Sequence, residues 1–189
     1  MIDPLPPPRS DRGRAESIRR DEPGAFEALF QEHHAELCRF AEGYVREGAV
    51  AEELVQDVFF ELWRRRREWE LHTTLRAYLF GAVRNRALNH LKRTKREREW
   101  LAVSREGAEP ADQGAAPDRL AEESQAAAAI ARAVARLPTR ARMVIDLRWR
   151  HGLRHAEIAE VMGISVKGVE NQLARALKAM RGMLGDFHE

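Results

Sequence analysis

Residues 155–177 read HAEIAEVMGISVKGVENQLARAL: a short helical pattern, a glycine, then a second helical pattern. Ile158 and Met162 recur at a four-residue step before Gly163, and Val169 and Leu173 do so after it. Each pair lies on one face of its helix, and with Ile164 the two faces can bury one another. Ala159 is small where the two helices must cross closely. Gly163 falls where the chain turns, a position that needs a positive φ and costs glycine little. Ser165 precedes the second helix, where its hydroxyl can accept an amide of the first turn. Every requirement of a helix-turn-helix is met in order.

The second helix of such a motif lies in a DNA major groove. That placement turns Lys167, Gly168, Glu170, Asn171, Gln172 and Arg175 towards bases and phosphates, with Ser165 at the helix start. Asparagine and glutamine match adenine edges, whereas arginine and lysine match guanine edges and phosphate. A helical hairpin with no nucleic-acid role would show the same apolar spacing. The surrounding charge argues against it, because residues 125–183 hold 11 basic and 4 acidic side chains.

The formal net charge of +2 conceals an uneven distribution. Residues 1–63 carry 7 basic and 14 acidic side chains, and residues 64–98 carry 12 basic and 3 acidic. Residues 99–124 are acidic again, with 2 basic and 7 acidic side chains. Two basic segments thus flank an acidic spacer. Polyanion binding at two places is the functional reading, since each phosphate contact releases counterions.

Working outward, helical periodicity runs from Ala126 to Leu137 and again from Pro138 to His151, stopping at Gly152. Towards the N-terminus, REGAEPADQGAAPD (105–118) is rich in Gly, Pro, Ala and acid, and predicts a flexible linker over 99–124. Three amphipathic helices precede it. The first starts near Asp21-Glu22-Pro23 and carries Phe26, Leu29, Phe30, Leu37, Phe40, Tyr44 and Val45. A second, after Gly48, carries Ala51, Leu54, Val55, Val58, Phe59, Leu62 and Trp63. The third carries Leu75, Leu79, Val83, Ala87 and Leu91, with Tyr78 and Trp63 read as core. Residues 67–74 (REWELHTT) have no helical face and read as a loop. Residues 1–20, rich in proline and charge, read as a disordered extension. The expected fold is all-α, with helical domains over 21–98 and 125–185 joined by the linker.

Composition narrows the function classes. No run of about eighteen apolar residues exists, so no membrane-spanning helix is expected. The opening MIDPLPPPRSDRGR has acidic residues and prolines where an export signal needs an apolar core. The lone Cys38 cannot form an internal disulfide, which fits a reducing cytoplasm. His34 with Cys38, and His151 with His155, stand one helical turn apart without enough further ligands for zinc. Neither a P-loop nor a nucleophile constellation stands out, so no cofactor, metal, small-molecule substrate or catalysis is expected.

Residues 130–184, with LPTRARMVIDLRWRHGL followed by AEIAEVMGIS, resemble the fourth-region domain of extracytoplasmic-function (ECF) sigma factors of the sigma-70 family. Residues 22–98 resemble that family's second-region domain. The resemblance implies a promoter-specificity subunit with three working surfaces. AEELVQDVFFELWRR (51–65) is similar to the helix that docks on the polymerase β′ clamp, which implies that Glu53, Gln56, Asp57 and Glu61 meet it. LRAYLFGAVRNRALNHLKRTKR (75–96) is similar to the helix that melts and reads the −10 element, which implies roles there for Arg76, Arg84, Asn85, Asn89, Lys92 and Arg93. The helix after Gly163 would read the −35 element. Implied partners are core RNA polymerase (β′ clamp and β flap), promoter DNA and an anti-sigma factor. Three positions depart from the common pattern: Asn89 where many relatives have Asp, Arg154 where Ser or Thr often caps, and Glu170-Asn171-Gln172 where basic residues are common. The competing reading is a stand-alone helix-turn-helix regulator that binds an operator. It leaves the clamp-like helix unexplained.

Overall fold

A computed structural model describes residues 9–103 and 125–185, which fall into two compact helical units with no strand among the described residues. The N-terminal unit is built on α2 (Ala25–Val45), α3 (Gly48–Arg64) and α4 (Leu75–Val103), each packed on the other two. The α2–α3 connection is minimal. Arg46 takes a left-handed φ of 59° and its N–H returns to the Glu42 carbonyl at 2.8 Å, which ends α2 and reverses the chain. Leu37, Phe40, Val55, Leu79, Phe80 and Val83 are fully buried, and Phe80 meets Phe40 edge-on with ring centres 4.8 Å apart.

Three expectations need correction here. Residues 1–20 are not uniformly disordered, because α1 (Arg9–Arg19) is a helix that packs on α2 and on a short 3₁₀ turn, Arg66–Glu68. Its anchors, Ala15 and Ile18, are 5% and 2% exposed. Composition hid them by pooling this helix with the prolines of 4–8, which lie outside the described residues. The next helix starts at Ala25, not near Asp21. Left-handed Asp21 (φ 56°) and Gly24 (φ 77°) break the chain between α1 and α2. Finally, α4 runs to Val103, into the expected linker. Its last turns have little core to bury, but Arg93 and Glu97, and Lys95 and Glu99, pair at 3.6 Å across one turn. Residues 104–124 lie outside the described ones.

The C-terminal unit comprises α5 (Gln125–Ala135), α6 (Thr139–Ile145), α7 (His155–Met162) and α8 (Val166–Gly185). The helix expected over 138–151 widens into a π turn at Asp146–Arg150. There buried His151 meets the Asp146 carboxylate, Nε2 to Oδ2, at 3.2 Å. Gly152 (φ 64°) then redirects the chain. α8 is the central element, packed by α5, α6 and α7. Leu153, Ile158 and Val169 close the core without measurable exposure.

Candidate nucleic-acid interface

The turn between α7 and α8 is built from its residues as the spacing predicts. Gly163 has φ 63° and ends α7, its N–H returning to the Glu160 carbonyl at 3.2 Å. The Ser165 hydroxyl accepts the Gly168 N–H at 3.0 Å and caps α8. Gly168 is there for space: a Cβ would stand 3.3 Å from that hydroxyl and 3.5 Å from the Ile164 Cβ. At the start of α7, Arg154 has no acceptor to offer as a cap. Instead the Glu157 carboxylate accepts the Arg154 N–H at 2.8 Å and its guanidinium at 3.3 Å. Half of a capping box survives the loss of a hydroxyl.

On α8, Lys167, Glu170, Asn171 and Arg175 are exposed, while Val169, Leu173 and Ala176 face inward. Gln172 and Gly168 sit half-buried at the margin, so the outward face is narrower than the spacing suggests. Lys167 Nζ lies 3.0 Å from Glu170 Oε2. Its charge is therefore partly engaged along the helix. Ser165 is exposed, with its hydroxyl engaged in the cap.

On α4, Asn85, Asn89, Lys92 and Arg93 are exposed. Their spacing of four, then three or four, puts them on one face. Arg84 is half-buried beside this stripe, its guanidinium 3.4 Å from the Asn85 side-chain oxygen. Arg76 does not join them. Nine residues earlier, it lies about 180° around the helix from Asn85, and it forms an ion pair with Glu36 of α2 at 2.6 Å. It ties α4 to α2.

The third candidate surface is α3. Glu53, Gln56 and Asp57 are exposed, as is Phe60, which is 65% exposed on the same face. Sequence reasoning passed over Phe60. Its only signal was an aromatic residue off the core period, and an aromatic among acids fits a protein partner better than DNA. Asp57 is 3.6 Å from Arg86 of α4. Glu61 differs from the others, held by Arg64 at 2.8 Å and Arg65 at 2.5 Å. The Arg64 hydrogen bond foremost holds its carboxyl below the ordinary range. Trp63, expected in the core, is 40% exposed and lies between Phe26 (ring centres 4.9 Å apart) and the Arg66 guanidinium, 3.8 Å over its ring. Tyr78 is half-buried against Trp69, ring centres 5.2 Å apart.

Two helical units, one carrying a well-formed helix-turn-helix and the other an amide-bearing basic helix, define a DNA-directed protein of transcription. Family comparison agrees. Residues 29–97 match the model of sigma-70 region 2, and residues 127–180 that of sigma-70 region 4. The chain is 30% identical over 166 residues to the ECF RNA polymerase sigma factor SigL of Mycobacterium tuberculosis, covering 85% of this chain and 89% of that one. It is 29% identical over 184 residues to the RNA polymerase sigma factor CnrH of Cupriavidus metallidurans, covering 94% and 96%. Two solved structures share the fold. CnrH in complex with the cytosolic domain of CnrY gives a TM-score of 0.64 at 23% identity, over 95% of this chain and 99% of that one. RpoE in complex with the anti-sigma factor NepR from Bartonella quintana gives 0.62 at 20%, over 86% and 98%.

The chain belongs to the ECF sigma factors of the sigma-70 family and directs transcription initiation. No described helix is long and apolar enough to cross a membrane.

Proposed function

We propose that this sigma factor docks on core RNA polymerase through α3, reads the −35 element with α8, and opens and reads the −10 element with α4. The observation that carries this reading is the stripe on α4. Asn85 and Asn89 are exposed and in line with Lys92 and Arg93. Cations alone would track phosphate, whereas two side-chain amides among them add groups able to hydrogen-bond a base taken out of its stack. Glu53, Gln56 and Asp57, with Phe60 beside them, supply the acidic and aromatic face for the β′ clamp. Lys167, Asn171 and Arg175 are the groups on α8 that reach bases or phosphates, and Glu170 releases Lys167 when phosphate competes for it.

The protein acts by binding, not by catalysis, and it works in the cytoplasm where polymerase and DNA are. CnrH and RpoE were solved bound to CnrY and to the anti-sigma factor NepR. By analogy an anti-sigma protein holds this chain inactive. Run-off transcription tests the core of the proposal. Core polymerase with this protein should yield defined transcripts from a subset of promoters, and core polymerase alone should not. Identical transcripts with and without the protein would refute it.

A further inference from the structure

We propose that α1 and the turn that follows it form a clasp that fixes the 66–74 loop and the first turn of α4 for base recognition, Asp11 of α1 capping α4 and Asp21 of the turn holding the start of the loop. This rests on the −10 reading of α4. The loop joins α3 to α4 and leads into the first turn of the helix that carries the recognition stripe, about three turns before Asn85. A loop and helix that hold a base drawn out of its stack must keep their places relative to one another.

Two buried polar groups of that loop go without partners. Trp69 is 6% exposed, yet neither its indole N–H nor the Thr73 hydroxyl finds a hydrogen-bond partner among the described residues. Buried polar groups without partners weigh against the conformation that buries them. Its position is instead set at both ends by residues far away in the chain. At the start, the Asp21 carboxylate takes the guanidinium of Arg66 and, at 3.1 Å, that of Arg67. Arg66 is thereby aligned over Trp63 and donates to its carbonyl at 2.8 Å. At the end, Asp11 Oδ2 accepts the Leu75 N–H at 2.9 Å, and Thr74 Oγ1 accepts the Ala77 N–H at 3.2 Å. α4 therefore takes one of its N-terminal caps from α1, sixty-four residues away in the chain. An aspartate there also complements the positive end of the helix that carries the promoter-reading side chains.

A clasp that positions the loop differs from one that merely stabilises the unit. Arg14 offers the control, because it ties α1 to α2 through Glu32 at 2.8 Å and forms no ion pair with the loop or α4 among the described residues. The experiment uses the full chain in holoenzyme on a duplex promoter, reading unpaired thymines by permanganate and the preference for the native −10 base over a substituted one. Asp11→Ala and Asp21→Gly should each cut open-complex formation roughly fivefold, the scale of one lost hydrogen bond, and flatten the base preference. Glycine is chosen at 21 because the left-handed backbone there suits it. Asp11→Asn, which retains an acceptor, should restore both readouts, and Arg14→Ala should change neither. Should Asp11→Ala lose helical signal by circular dichroism, Asp21→Gly carries the test. Normal opening and preference in Asp11→Ala and Asp21→Gly, alongside a defective Asn85→Ala, would overturn the clasp and leave the −10 reading standing. Equal losses in Arg14→Ala would also overturn it. If Asn85→Ala were itself normal, the −10 reading would fall and the clasp with it.

Discussion

Ser165 and His33 each do one job that a single substitution can isolate. The Ser165 hydroxyl caps α8 at 3.0 Å. Ser165→Ala should cost about 1 kcal/mol and lower the melting temperature of the C-terminal unit by roughly 4–8 °C. Differential scanning calorimetry checks this, and an unchanged transition would mean that the cap contributes nothing. His33 is 5% exposed, and burial holds its pKa below the ordinary value although Glu32 and Glu36 pull it upward. The unfolded chain takes the proton near pH 6.5, the folded one only at lower pH. Below about 6.5 the unfolded state therefore binds more protons, and stability falls as pH drops towards the folded pKa. Above that window the loss is absent. His33→Gln should flatten the fall in urea midpoint between pH 7 and 5 relative to the parent. A fall of equal steepness would place the proton elsewhere.

At this scale the sequence was legible where partners are near neighbours. Gly163 and Ser165 stand two residues apart, so their turn and cap follow from spacing, whereas Gly168, read as facing DNA, makes room for Ile164 and the Ser165 hydroxyl. Arg76 was misplaced because its partner Glu36 lies 40 residues away, and charge alone does not reveal an ion pair across a bundle. Asp11 escaped notice for the same reason, amplified by the prolines beside it. Trp63 reads as core by period, but the end of α3 leaves it at the edge with Arg66 over its ring.

Among the elements, the proposed function divides the work between α4 and α8. Lys167→Ala and Arg175→Ala should weaken closed-complex formation. A lost base contact costs on the order of 1–3 kcal/mol, while a lost phosphate contact mainly reduces the salt slope. Asn85→Ala should leave closed complexes nearly intact and impair opening, because an unstacked base does not exist in closed duplex. On a template already melted across the −10 element, an opening defect should shrink and a base-reading defect persist. Equal losses by all three variants in closed complexes at every salt concentration would contradict the division. On α3, Asp57→Arg reverses a charge that is half-exposed and 3.6 Å from Arg86. It should weaken binding to core polymerase with the helical signal unchanged. Unfolding would show Asp57 to be structural, and unchanged affinity would remove α3 from the interface. The helices of the two bundles were readable from period. The whole of α1 and the end of α4 were not, because α1 rests on two anchors and the end of α4 on ion pairs rather than on a buried face.

For the whole molecule, the proposed function implies that neither unit suffices alone. Each presents a small basic face, and the free chain gains little from having both unless something fixes their spacing to that of the promoter elements. Core polymerase does so in the proposed complex, turning the second contact into an intramolecular one with a high effective concentration. A stand-alone regulator needs no such help. The most direct measurement is therefore the affinity for one promoter fragment and one scrambled fragment, for the free chain and for the holoenzyme, in the same salt. The account predicts weak, barely selective binding by the free chain and tight, selective binding by the holoenzyme. Tight, sequence-specific duplex binding by the free chain, unchanged on adding core polymerase, would contradict it.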